Sequence, residues 1–161
     1  MKIRLQNRGR AARKRSAAGF SLIELLIVVA IILIIAAIAI PNFLRAKMAA
    51  NESSAVSSIH AINTAEIQYA SSFPSVGFST SLVALGPTGS SYIDAVLAGG
   101  SKSGYIFTYV QNTTDTPSDG YTINADPVTR GVTGARSFYS DQQNITHYNL
   151  AAVAAATDPQ L

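Results

Sequence analysis

From Phe20 to Ile40 the chain reads FSLIELLIVVAIILIIAAIAI, 21 residues with one charge, Glu24, and one hydroxyl, Ser21. As an α-helix this run would be about 31 Å long, the hydrocarbon thickness of a bilayer. Its many β-branched residues do not oppose a helix there, because in lipid every backbone polar group has to be satisfied within the segment. Pro41 follows at once, and a proline ends or kinks a helix at the turn before it. A removable signal peptide would carry a shorter apolar core with a small-residue cleavage site behind it. Here the chain continues Pro41-Asn42-Phe43-Leu44-Arg45-Ala46-Lys47, so the expectation is that the segment is retained.

Charge is distributed around this segment very unevenly. The net charge of +3 over 161 residues divides into seven bases and no acid in residues 1–19, and five bases with nine acids in residues 20–161. A basic run directly before a greasy segment reads as a topogenic signal that stays on the cytoplasmic side. A phosphate-binding groove would need basic residues in the rest of the chain, which is acidic, so no nucleic-acid partner is expected. The chain has no cysteine, which excludes disulfides, thiolate metal sites and cysteine nucleophiles. Its two histidines, His60 and His147, are too few for an imidazole-rich metal site.

Glu24 stands out inside the apolar run. A carboxylate within a membrane helix costs about 2.5–3.5 kcal/mol at the bilayer centre, less near the edge where it reaches headgroup water. Two readings follow: an interfacial residue, or a carboxylate that waits for a cation from a partner. If the leader were cut before Phe20, an α-amine would appear four residues away, available to another copy of the same helix. A buried amine–carboxylate pair is a poor source of stability but a good device for setting register.

The stretch Ala18-Gly19-Phe20-Ser21-Leu22-Ile23-Glu24-Leu25-Leu26 resembles the class III signal of the type IV pilin superfamily, pseudopilins included. The resemblance implies cleavage by a prepilin peptidase between Gly19 and Phe20, and N-methylation of Phe20, which keeps the amine charged. It implies that Glu24 pairs with a neighbour's Phe20 amine during assembly and that Pro41 is the helix-kinking proline. It covers about residues 13–72. Two features depart from the family pattern: the leader is 19 residues long, and no glycine interrupts the apolar helix between Phe20 and Pro41.

Beyond Pro41 the pattern becomes one-sided. Met48, Ala55, Ile59, Ile62, Ala65, Tyr69 and Phe73 recur at steps of three, four or seven, with Asn51, Ser54, Ser58 and Asn63 largely off that stripe. One helix over about 20–72 is therefore predicted, stopped by Phe73-Pro74. Residues 74–104 read as a connection with apolar pieces at 81–85 and 92–97. The second reads as a short helix with Ser90 or Ser91 as its cap and Gly99-Gly100 as its stop. Tyr105-Ile106-Phe107-Thr108-Tyr109-Val110 suggests a strand covered on both faces, and residues 121–125 a second strand. Residues 136–139 and 145–148 bracket Asp141-Gln142-Gln143-Asn144 as a hairpin. The predicted class is α+β, a long helix against a small antiparallel sheet. Four segments are expected: leader 1–19, apolar helix 20–40, amphipathic helix 41–73 and head 74–161.

Catalytic motifs are lacking: the sequence has no Gly-x-Ser-x-Gly, no phosphate loop and no HExxH, so neither an enzyme nor a cofactor is expected. The turn Asp115-Thr116-Pro117-Ser118-Asp119-Gly120 reads as solvated, with Asp115 and Asp119 a weak calcium candidate. Asn112-Thr113-Thr114 and Asn144-Ile145-Thr146 are glycosylation sequons by pattern only.

Three function classes compete: a pilus filament subunit, a pseudopilin of a secretion or DNA-uptake machine, and a monomeric anchored domain. Glu24 disfavours the third, and a cysteine-free head rich in Ser, Thr and Gly suits an abundant repeating subunit. The expected partners are further copies in a helical homopolymer, the prepilin peptidase, the inner-membrane assembly machinery, and lipid before assembly. The expected location is the bacterial inner membrane as a single-pass precursor, then the extracellular filament. Substituting Gly19 by a bulky residue should leave residues 1–19 attached and block assembly. N-terminal sequencing of the assembled material, which should begin at a methylated Phe20, checks this.

Overall fold

The computed structural model describes residues 19–161; the basic leader read from the sequence lies, except for Gly19, outside the described residues. The chain divides into two compact units, Met1–Ala39 and Ile40–Leu161. Helix α1, Leu22–Ser72, runs through 51 residues with Pro41 inside it. Pro41 therefore does not end the helix, although its missing N–H leaves the carbonyl four residues earlier without its helical partner.

In the second unit, α1 presents a buried face made of Glu52, Ala55, Ser58, Ile59, Ile62, Asn63, Ala65 and Glu66. The helix ends where expected: Phe73 N–H still donates to the Tyr69 carbonyl at 2.8 Å, and Pro74 follows. Two short helices come next, α2 (Leu82–Leu85) and α3 (Ala95–Ala98). Asp94, not Ser90 or Ser91, caps α3, its carboxylate accepting from Val96 and Leu97 N–H at 3.0 and 2.9 Å. Gly99 closes α3 as its C-cap.

Five antiparallel strands form one meander in the order β1-β2-β3-β4-β5. They are β1 (Ser101–Lys102), β2 (Tyr105–Gln111), β3 (Tyr121–Pro127), β4 (Ser137–Asp141) and β5 (His147–Asn149). β2 is covered on one face only, with Tyr105 and Phe107 buried while Ile106, Thr108 and Val110 are exposed. The core joins Ala55, Ile59, Ile62 and Ala65 of the helix to Leu82, Leu85 and Leu97 of the connection and Tyr105, Phe107, Ile123 and Phe138 of the sheet. Tyr105 closes over Gly134, where a Cβ would run into its hydroxyl and ring, so only glycine fits.

Polar groups on the buried helix face are tied to the head. The sequence pattern sets Ser58 and Asn63 off the apolar stripe, yet both are buried, as are Glu52 and Glu66. Asn63 Nδ2 donates to Ser140 Oγ and Asn144 Oδ1, and Asn63 Oδ1 accepts from the Tyr121 hydroxyl at 3.1 Å. Glu66 accepts from Ser79 N–H at 2.9 Å and from the Ser79 hydroxyl. Glu52 accepts from Ala135 N–H (2.8 Å), Arg136 N–H (3.2 Å) and Arg136 Nε (2.8 Å). The Arg136 guanidinium also lies over the Phe138 and Tyr148 rings.

Hydrogen bonds close the cysteine-free C-terminus. Arg130 donates to the Ala135, Leu150 and Ala152 carbonyls and to Ser137 Oγ. Asp158 accepts from Asn149 Nδ2 and Ala155 N–H, while Tyr148 N–H donates to the Pro159 carbonyl at 3.0 Å.

Burial acts to raise the Glu52 carboxyl, but hydrogen bonds from Ala135 and Arg136 and the adjacent guanidinium outweigh it and hold the group below its ordinary value. A depressed carboxyl stabilises the fold above its unfolded value, and that stability is lost as pH falls through the folded one. Glu52→Ala should therefore destabilise the head by about 1–3 kcal/mol at neutral pH. Denaturant melts of both proteins should show the difference shrinking below the usual glutamate range.

Candidate functional site

The apolar segment begins with a helix cap. Ser21 is the residue before the first helical position, Leu22, and its N–H donates to Glu24 Oε2 at 2.9 Å. Its carbonyl accepts from Leu25 N–H at 3.2 Å. Ser21-x-x-Glu24 thus has the spacing of a capping box, with the carboxylate at the third helical position reaching back to the cap. An anion in the first turn also meets the positive end of the helix dipole. The serine–glutamate spacing carries this signal, which the reading of Glu24 as a charge in an apolar run passes over.

Gly19 and Phe20 precede the helix and are exposed, Phe20 at 86%. A side chain at Gly19 would meet nothing within 4 Å among the described residues, which place no demand for glycine there. Downstream, Ile31, Ile32, Leu33, Ile34 and Ile35 are all exposed. Five consecutive residues at about 100° each go all the way round a helix, so the segment is apolar on every side. Such a surface belongs in lipid or among other apolar helices. Glu24 is the one charge on it, held by a single hydrogen bond among the described residues.

The remaining candidates lie elsewhere in the second unit. Asp115 and Asp119 are exposed, and Asp119 Oδ1 accepts from Asn112 Nδ2 at 2.8 Å. Among the described residues no three His, Cys, Asp or Glu side chains gather around a metal-sized space. His60 is exposed on the helix, and His147 Nδ1 lies 2.6 Å from the Asp158 backbone carbonyl. Both sequon asparagines are hydrogen-bonded. Half-buried Asn112 donates to Asp119 and its Oδ1 accepts from Thr114 N–H, while the exposed Asn144 accepts through Oδ1 from the buried Asn63, and Thr146 is 7% exposed.

Residues 14–40 match the family model described as the prokaryotic N-terminal methylation motif. Over 48 residues the chain is 54% identical to the type IV major pilin protein PilA of Myxococcus xanthus, covering 30% of this chain and 22% of that protein. Over 38 residues it is 63% identical to the type IV wide pilus major component PilA4 of Thermus thermophilus, covering 24% of this chain and 29% of that protein. The chain thus spans less than a third of the length of either relative. No solved structure matches it.

Removing residues 1–47 takes away the exposed apolar helix and leaves the buried face of α1 with the sheet it covers. That truncated chain should be soluble and monomeric by sedimentation, while the full chain should stay in solution only with detergent or lipid.

Proposed function

We propose, from the N-terminal methylation motif and the similarity of the N-terminal segment to type IV major pilins, that the chain is the structural subunit of an extracellular type IV pilus filament. The observation that carries this reading is an apolar helix exposed on every side, with Glu24 as its single charge. Before assembly the segment rests in the inner membrane as a single span. A prepilin peptidase removes residues 1–19 and methylates Phe20. The exposed, non-helical Gly19–Phe20 junction suits a protease, which cleaves extended rather than helical backbone. Because nothing among the described residues crowds Gly19, recognition by another molecule is the reason offered for a glycine there.

The inner-membrane assembly machinery then moves the subunit from lipid into a helical homopolymer, where copies of the same helix supply the dry surroundings that lipid supplied. Apolar packing alone does not choose an alignment along the axis, because every offset of two greasy cylinders is nearly equivalent. The charged Phe20 amine of one copy and the Glu24 carboxylate of its neighbour would remove that degeneracy, since any other offset strands both charges in an apolar interior. Glu24 is suited to setting this register, since one oxygen accepts from Ser21 and no bond to the other oxygen occurs among the described residues. The role is structural rather than catalytic.

Glu24→Ala and Glu24→Gln separate insertion from assembly. Both should enter the membrane at least as well as the parent, because a charge is gone, and both should yield few or no filaments. The measurement is the ratio of sheared to membrane-bound subunit on immunoblots. A normal filament yield from Glu24→Ala would end the register model.

A further inference from the structure

The five cations of residues 20–161 do not share one fate. Lys102 Nζ pairs with Asp94 at 2.9 Å, and Arg136 Nε with Glu52 at 2.8 Å. Arg130 is engaged by four oxygen acceptors. Arg45 and Lys47 are exposed and have neither an ion pair nor a side-chain hydrogen bond among the described residues. They follow the last residue of the apolar run, Ile40, by five and seven positions, beside Phe43 and Leu44, exposed at 67% and 48%.

We propose that Arg45 and Lys47 are a docking site for anionic phospholipid headgroups, on the face of the bilayer opposite the basic leader. The proposal rests on the reading of Phe20–Ile40 as a membrane span before assembly. Two observations choose lipid over a protein partner. First, residues two apart on a helix are separated by about 200°, so Arg45 and Lys47 point to nearly opposite sides. One acidic protein surface cannot take both, whereas a leaflet surrounds the helix and offers phosphate on every side. Second, Phe43-Leu44 extends the apolar surface a few residues past the run. Arg45 and Lys47, five and seven positions beyond Ile40, therefore lie at headgroup depth, where long cations keep their stems on apolar surface and snorkel their charges outward.

The full chain reconstituted into phosphatidylcholine vesicles tests this, with spin-labelled phosphatidylglycerol or phosphatidylcholine reporting the lipid held at the protein surface. Preference for phosphatidylglycerol should fall by about fivefold for each charge removed in Arg45→Gln and Lys47→Gln. The two losses should multiply in the double variant, because the sites are on opposite sides. Arg45→Lys should keep the preference, and Lys102→Gln, whose charge is paired within the head, should leave it unchanged. The leader contributes equally to all variants and cancels in the comparison. Unchanged preference in a double variant that still floats with the vesicles overturns the proposal. So does unchanged preference together with lost filament assembly, which would assign the two cations to a neighbouring subunit. A parent chain that does not float with the vesicles overturns the membrane-span reading, and the proposal with it.

Discussion

An apolar helix surface that finds no partner among the described residues has to find one elsewhere, and this requirement governs the rest of the molecule. Burying one large aliphatic side chain is worth about 1.5–3 kcal/mol. The exposed large apolar residues of the first unit number fourteen among the described residues. Their combined transfer energy exceeds the roughly 5–15 kcal/mol that holds a typical domain folded. Water is therefore not a tolerable surrounding for this segment, and no adjustment of the head changes that. Within lipid, however, helices gain nothing from hydrophobic burial against one another, since the tails are as apolar as leucine. Lipid makes the segment stable without telling it which neighbour to choose, so specificity has to come from the few polar groups it carries.

The head solves a different problem with the same kind of device. Its helix face buries Glu52, Asn63 and Glu66 among Ala55, Ile59, Ile62 and Ala65. Each polar residue is tied to a separate part of the chain: Glu52 to residues 135–136, Asn63 to Tyr121, Ser140 and Asn144, and Glu66 to Ser79. Apolar contacts would allow the helix to slide or rotate by a turn at modest cost. Three polar ties with different partners would all be broken by such a shift, and each would leave a buried group unsatisfied. Arg130 and Asp158 give the C-terminal segment a similar fixed course without a disulfide.

What the sequence discloses and conceals follows from the range of the interactions involved. The long helix and its stop at Phe73-Pro74 are legible because their chemistry lies within neighbouring residues, and the methylation motif over residues 14–40 is legible as a short contiguous pattern. The burial of Asn63 and Glu52 is not, because their partners lie 58 to 84 residues away. Reading polar residues as solvent-facing places Asn63 and Ser58 on the wrong side for that reason. The cap of α3 has several polar candidates close together in the sequence, and only the backbone shows that Asp94, not Ser90 or Ser91, is aimed at free N–H groups. On β2 the run of β-branched and aromatic residues hides an exposed face, since Ile106 and Val110 differ from Phe107 only in which way the pleat turns them.

On the proposed assembly model, the position of Glu24 would let one carboxylate be tolerated in lipid and still be useful in a filament. In mid-span the same side chain would have no free backbone N–H to accept from, because every interior amide is committed to the carbonyl one turn earlier. In the first turn those amides are orphaned, and Ser21 N–H supplies the charge with a donor. On the proposed model the cap thus offsets part of the desolvation cost before assembly. It does so with one oxygen, so assembly on the proposed model adds a second partner instead of exchanging the first. A glutamate placed one helical turn deeper would have neither the cap in the monomer nor the reach to a neighbour's terminal amine. On that model the usefulness of the residue is set by two short distances, since it is the third residue of the helix and the fifth after the proposed cleavage site.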